Sequence, residues 1–330
     1  MTRVARSYIA RSEELKVYLG VDGGQSSTTA MIGDETGRVI GSGRGGACNH
    51  VKGSEGVPKF INAIRECIAT ACVEAELDPS EITFESACLG FSGGPKDKEA
   101  ILDEILHTHR RIVTTDAMIA LSGALAGGCG IITIAGTGSI AYGRNREKRS
   151  ARAGGWGYIF GDEGGGFDLT RQAVRAALRH EEGWGPATSL RGLLLAETGA
   201  TDANDLLHHL YTTDYPRPKI ASFSKLVDQA AIDGDAAAHS ILMNGAQQLA
   251  TIASSVRSQL FDSDEIVNVA YIGGVYRSRL LLERFRMLVE LEDGNHVSPP
   301  IYGPAAGALI EAYANAGCDV AISAVPEFEK

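Results

Sequence analysis

Two glycine-rich turns, each following an apolar strand, are the parts of this chain best suited to hold phosphate. The first is Asp22-Gly23-Gly24-Gln25-Ser26-Ser27-Thr28 and the second is Ala135-Gly136-Thr137-Gly138-Ser139. Glycine lets backbone N–H groups come close to an anion, and the hydroxyl and amide side chains add donors. An Asp-Gly hairpin turn needs no ligand when it stands alone. Two such turns in separate halves of the chain are better explained as a pair of phosphate clamps. Asp22, at the end of its strand, is placed to orient a hydrated Mg²⁺ that bridges nucleotide phosphates. A further pair, Gly273-Gly274, lies between a strand and a helix, where bare backbone can pack against a base or ribose. A plain strand-to-helix turn accounts for it almost as well.

Asp116 stands where the strand RIVTT meets a helix. A carboxylate there can accept the proton of an attacking hydroxyl, while positioning and Mg²⁺ stabilise a phosphoryl transition state. The same side chain can cap the helix, and the two roles compete for its oxygens. The stretch from Gly154 to Gly166, GGWGYIFGDEGGG, is too rich in glycine for a regular element. Trp156 offers an apolar plate to a sugar face, and Asp162 and Glu163 can accept hydrogen bonds from sugar hydroxyls or begin the next helix. Aromatic residues set among glycines and acids read as a substrate loop rather than a linker. Asn49 and His50 form a further polar pair on a loop.

The elements that must position these residues follow from hydrophobic periodicity. Val17–Val39 reads as a strand, a tight turn, a second strand, and a DETG turn into a third. Residues 55–77 carry apolar side chains at helical spacing, followed by a strand at Ser86–Phe91, a short helix near 96–106, a strand from Arg111 and a helix over 117–125. IITIAG and SIAYG repeat the strand, turn, strand design, so two hairpin-plus-helix halves facing one ligand are expected. After Gly166 helices are expected at 167–182, 188–197, 222–232 and 236–260, then a strand at Val267–Ile272, a helix near 277–290 and a last one after Pro304.

A length of 330 residues suits two domains, and a formal charge of −10 argues against a nucleic-acid surface. Six cysteines without CxxC pairing suggest reduced thiols in a cytoplasm. No apolar run is long enough to span a bilayer, and residues 1–15 read as a loosely ordered extension. A homodimer is the expected assembly, two-fold pairs being the commonest.

As a set, these motifs resemble the actin, Hsp70 and sugar-kinase superfamily, and in particular the N-acetylglucosamine kinase branch of the BadF/BadG/BcrA/BcrD-type ATPases. VDGGQSSTTA and IAGTGSIAYG are similar to its two phosphate motifs, TTDAMIAL to the catalytic-base segment, YIGGVYRS to the adenosine motif and GGWGYIFGDEGG to its amino-sugar loop. The resemblance implies an α/β two-domain actin-like ATPase fold: duplicated ribonuclease H-like domains, mixed five-stranded sheets with helices, and an interdomain cleft. Residues 16–118 with about 304–330 would form one domain and 119–303 the other. It implies ATP and Mg²⁺ as cofactors, with phosphate contacts from Gly23 to Thr28 and from Thr137 and Gly138, and adenosine beside Gly273 and Gly274. Substrate contacts would come from Asn49, Asp116, Ser139, Gly155, Trp156 and Asp162, with Asp116 deprotonating the 6-hydroxyl of N-acetylglucosamine. Glucosamine and N-acetylmuramic acid are alternative acceptors.

The chain departs from the resemblance at Gln25 and Ser26, where many relatives have Gly-Thr, and Cys48-Asn49-His50 matches the sugar-binding segment only loosely. A rival reading is the ATP-driven activator of a radical 2-hydroxyacyl-CoA dehydratase, for which Cys129 would be a cluster ligand. A non-catalytic sugar sensor and a filament-forming relative are further rivals.

Overall fold

The computed structural model describes residues 16–48, 56–94 and 96–329. The expected N-terminal extension and Asn49 lie outside them. In chain order the elements are β1 (Val17–Gly23), β2 (Thr28–Asp34), β3 (Val39–Gly45), α1 (Gly56–Glu74), β4 (Ser86–Phe91), α2 (Glu99–Ile105), β5 (Arg111–Thr115) and α3 (Asp116–Ala124). They continue with β6 (Gly130–Ala135), β7 (Ser139–Arg144), β8 (Ser150–Gly154), α4 (Gly166–Glu181), α5 (Leu190–Thr198), α6 (Ala203–Leu210), α7 (Arg217–Ser222) and α8 (Ser224–Ile232). The last are α9 (Ala236–Leu260), β9 (Val267–Ile272), α10 (Arg279–Glu290), β10 (Asn295–Ser298) and α11 (Pro304–Ala316).

The chain divides into two compact units, one running to Ile119 and resuming at Pro304, the other spanning Ala120–Gly303. Each unit contains a five-stranded sheet, ordered β3-β2-β1-β4-β5 in the first and β10-β9-β6-β7-β8 in the second. The second reads as the first in reverse. In both, a hairpin strand and its neighbour run antiparallel, and two later strands pair parallel on the other side. This is the duplicated ribonuclease H-like design, with helices covering mixed sheets.

The glycines find a use in close packing. On β3, Gly41, Gly43 and Gly45 face the carbonyl oxygens of Ala71, Cys67 and Ala63 along α1. The strand's two-residue period thus meets the helix's four-residue period backbone to backbone. A Cβ at any of the three would overlap a carbonyl oxygen. Gly43→Ala is therefore expected to destabilise the first unit by about 3 kcal/mol, read as a lower urea midpoint, because helix and strand must separate. Gly20 of β1 admits the small-residue face of α11 in the same way, against Ala305 and Leu309.

Most of the apolar positions predicted for α1 are buried, with Val57, Ile61 and Ala75 partly so. The buried ones include Phe60, Ile64, Ile68 and Cys72, and the core of the second unit gathers Ile241, Leu249 and Val256 of α9 with Phe285 of α10. α9 begins at its predicted residue because Asp235 accepts the Ala238 N–H at 3.0 Å. Two strands, β8 and β10, and two helices, α6 and α7, appear where no regular element was expected.

Candidate active site

In the first unit the polar residues collect at the carboxyl ends of β1, β4 and β5, where open α/β sheets place their ligands. The turn after β1 is closed by the Gly24 N–H donating to the Ser27 carbonyl at 3.0 Å, and it leaves Gln25, Ser26 and Ser27 exposed. Gly23 is buried at the start of this turn, and a side chain there would meet Phe91 and Cys48. Thr28 is buried, and its hydroxyl donates to the Gly46 carbonyl at 2.6 Å, so it shapes the turn from below. Burial, then the carboxylates of Glu329 and Asp116, push the Asp22 pKa up to about 7.

Asp116 begins α3 directly after β5. One of its oxygens accepts the Ala117 N–H at 2.9 Å and the other accepts the Ser92 hydroxyl at 2.6 Å. The more distant cap is made by Thr115, whose hydroxyl accepts the Met118 N–H at 3.3 Å. Asp116 therefore keeps a fixed orientation, with lone pairs left on both oxygens. Ser92→Ala should lower the turnover number about tenfold, the equivalent of one charge-assisted hydrogen bond, and leave Tm within about 1 °C. Steady-state kinetics beside a thermal melt checks both parts.

The C-terminal segment brings another acid to this end of the sheet. Ser323 bridges the β2–β3 turn through the Gly37 carbonyl and the Val39 N–H, both at 2.9 Å, and Arg44 lies over the Phe328 ring at 4.4 Å. Glu329 then accepts the N–H groups of Ala305 and Ala306 at 3.1 and 3.3 Å, capping α11. Burial raises its pKa against those two bonds.

In the second unit the turn after β6 is held from both sides. The Gly136 N–H donates to the Gly138 carbonyl at 3.0 Å. The first turn of α4 then reaches back, Gly166 N–H to the Gly136 carbonyl at 2.8 Å and Phe167 N–H to the Thr137 carbonyl at 3.1 Å. Gly136 faces open space. Gly273 has φ +114° and lies so close to the Ala135 carbonyl that no side chain fits. The end of β9 is thereby laid against the β6 turn. Gly136, Thr137, Ser224, Lys225, Gly274 and Arg277 line a cavity of about 460 Å³, within the range of small-molecule sites.

The stretch from Gly154 to Gly166 runs beside the same turn. Asp162 is buried at φ +64°, and its carboxylate lies against the Cα of Gly138. Ser139 is buried with its hydroxyl donating to the Glu163 carbonyl at 2.6 Å. Trp156 is 67% exposed, under the guanidinium of Arg152 at 4.7 Å. Gly155 has φ +72° and packs on Ile140. Ser139, Gly155, Trp156 and Asp162 thus share one loop environment with Thr137 and Gly138, while Asp22 and Asp116 share the other unit's sheet end. Ser92 and Glu329 were not anticipated. The SGG after β4 was a readable turn signal, but nothing near Glu329 in the chain marks it.

Two ribonuclease H-like sheets, each with a glycine turn at its carboxyl ends, define an actin-like ATPase fold. Residues 19–312 match the BadF/BadG/BcrA/BcrD ATPase family, and the chain belongs to it. It is 34% identical over 283 residues to the N-acetylmuramic acid/N-acetylglucosamine kinase of Clostridium acetobutylicum, covering 84% of this chain and 91% of that one. It is 31% identical over 277 residues to the N-acetyl-D-glucosamine kinase of Dictyostelium discoideum, covering 78% and 85%. A Chromobacterium violaceum structure described as a candidate N-acetylglucosamine kinase superposes with TM-score 0.71 at 25% identity, covering 90% of this chain and 98% of that one. Among the described residues no helix is long and apolar enough to cross a membrane.

Proposed function

We propose that this protein is an ATP-dependent amino-sugar kinase that phosphorylates the 6-hydroxyl of N-acetylglucosamine. The observation that carries the reading is Asp116, a carboxylate fixed by Ser92 and its own helix at the end of β5 in a chain of this family. In the reaction the sugar oxygen bonds to the γ-phosphorus and the bond to the β–γ bridging oxygen breaks. ADP leaves, and the hydroxyl proton passes to Asp116.

The turn from Gly23 to Thr28 and the turn at Thr137-Gly138 supply backbone donors to phosphate, and the cavity beside Gly273 and Gly274 takes the nucleoside. Trp156, Gly155 and Asp162 present the sugar with an apolar plate, a backbone and an acceptor, and Ser139 holds their loop through Glu163. Asp22 fits a hydrated Mg²⁺: it is an enclosed carboxylate with two further carboxylates raising its pKa, the setting a hard cation relieves. When bound, that ion neutralises charge developing on the phosphates. Six cysteines, none in a disulfide, suit a reducing cytoplasm, where we place the protein as a homodimer.

The test is ADP release with Mg-ATP against N-acetylglucosamine, glucosamine, N-acetylmuramic acid, N-acetylmannosamine and glucose. N-acetylglucosamine should stimulate ADP release at least about 100-fold over the sugar-free rate, because a bound hydroxyl is held in line where water is not. N-acetylmuramic acid is the second acceptor to watch, because the Clostridium relative is named for both sugars. Failure of every sugar to stimulate ADP release contradicts the reading.

A further inference from the structure

A second groove lies in the same unit, bordered by Glu163 of the substrate loop. Its volume is about 760 Å³, and its walls are the facing sides of α4 and α9. Along α4 it presents Arg171, Arg175 and Arg179, four residues apart, so successive guanidinium groups start about 6 Å from one another. Along α9 it presents Ser240, Asn244 and Gln248 at the same spacing. One wall is a ladder of cations, the other a ladder of neutral donors and acceptors.

Of the three rungs only Arg171 is paired with a carboxylate of the groove, Asp168, and it also donates to the Tyr158 carbonyl at 3.3 Å. Asp168 is buried and already accepts from Arg171 at 2.6 Å, Gln172 at 2.8 Å and the Gly164 N–H at 3.1 Å. Arg171 Nε is buried without a partner. Arg179 packs over Trp184 at 4.8 Å, which leaves its N–H groups free to donate at the ring's edge. Arg175 is exposed, and no ion pair or hydrogen bond engages it among the described residues. Arg175 and Arg179 are thus two guanidinium groups without a carboxylate partner among the described residues, side by side in a chain of net charge −10.

We infer that this groove is a non-catalytic binding site for a phosphorylated sugar. Guanidinium groups take the phosphate in fork geometry, and the Ser240, Asn244 and Gln248 side chains take the ring hydroxyls. Glu163 connects the groove to the substrate loop. The residue lines the groove, and its carbonyl accepts the Ser139 hydroxyl at 2.6 Å beside the second phosphate turn. An occupant whose contact with Glu163 is stronger in the sugar-bound than in the sugar-free protein raises sugar affinity by that difference, and a weaker one lowers it. That the occupant is the reaction's own product rests on the kinase reading; that the groove takes a phosphorylated polyol does not.

The experiment is calorimetric titration of the whole protein with N-acetylglucosamine 6-phosphate, glucose 6-phosphate and inorganic phosphate in separate arms. Wild type is compared with Arg175→Glu/Arg179→Glu, whose two side chains are exposed and outside the catalytic machinery. A sugar phosphate should bind wild type with a component that weakens at least tenfold in the variant, while turnover without added phosphate stays within twofold. At saturation the wild-type KM for amino sugar should shift at least threefold and that of the variant should not. Equal binding by the variant, or inorganic phosphate binding as tightly as either sugar phosphate, overturns the site. Binding with an unmoved KM overturns the coupling through Glu163. If the protein phosphorylates no amino sugar yet shows the variant-sensitive component, the kinase reading fails and the groove stands. Preference for glucose 6-phosphate over the amino-sugar phosphate excludes product as the occupant.

Discussion

Asp116→Asn should lower the turnover number about a thousandfold, roughly 4 kcal/mol of transition-state stabilisation, with KM for ATP within about twofold. Asparagine is chosen because it leaves the architecture in place. Its amide oxygen still accepts the Ala117 N–H, its amide nitrogen can donate to the Ser92 hydroxyl oxygen, and Thr115 continues to cap Met118. What it cannot do is take a proton. A loss confined to turnover therefore separates the base from the cap, which the sequence alone left in competition. Steady-state kinetics with a thermal melt of each protein makes the measurement. Turnover within tenfold of wild type would mean that the base lies elsewhere.

Asp22→Asn should have opposite effects on stability and activity. The folded pKa of Asp22 is pushed up to about 7 from an ordinary 3.8 by burial, Glu329 and Asp116. A raised carboxyl favours the fold while it stays protonated. The unfolded chain ionises near pH 4, so this advantage is complete below that pH and is lost as pH rises to about 7. Above pH 7 the folded protein without metal carries an enclosed charge costing at most about 4 kcal/mol. Asparagine removes that cost. The metal-free variant should melt at least about 4 °C above wild type at pH 8, with the gap closing towards pH 4. Its kcat/KM should fall at least about 100-fold because the cation loses its orienting group. Mg-ATP should also raise the wild-type Tm at pH 8 more than that of the variant. Melts from pH 4 to 8, with and without Mg-ATP, check the sign. A variant less stable than wild type at pH 8 would show that the carboxylate is not strained.

The parts legible in the sequence were those with a local cause. The β1–β2 and β6–β7 hairpins were readable because glycines sit between alternating apolar runs, and α9 because Asp235 starts a long amphipathic pattern. β8 was missed because SARAG has no β-branched residue and forms an edge strand. β10, with only Asn295–Ser298, gains its strand form by pairing with β9. α6 and α7 are short and polar, and α7 opens at Arg217-Pro218. The glycine count was visible, but the ladder on β3 was not, because its partners are carbonyl oxygens more than fifteen residues away. The same reasoning applies at the site. Asp22 and Asp116 announce themselves by strand ends, whereas Glu329 reaches Asp22 only because the C-terminal segment returns along the first sheet. Ser92 becomes a partner of Asp116 only when β4 and β5 pair.

The measurement that tests the central claim most directly is the fate of the γ-phosphoryl group: labelled ATP with Mg²⁺ and N-acetylglucosamine, and the product resolved by phosphorus NMR. The account predicts a sugar phosphomonoester coupled to the two protons on carbon 6, formed in proportion to ADP. ATP consumption that yields only inorganic phosphate, with the sugar unchanged, would contradict it and favour an ATPase that drives some other protein.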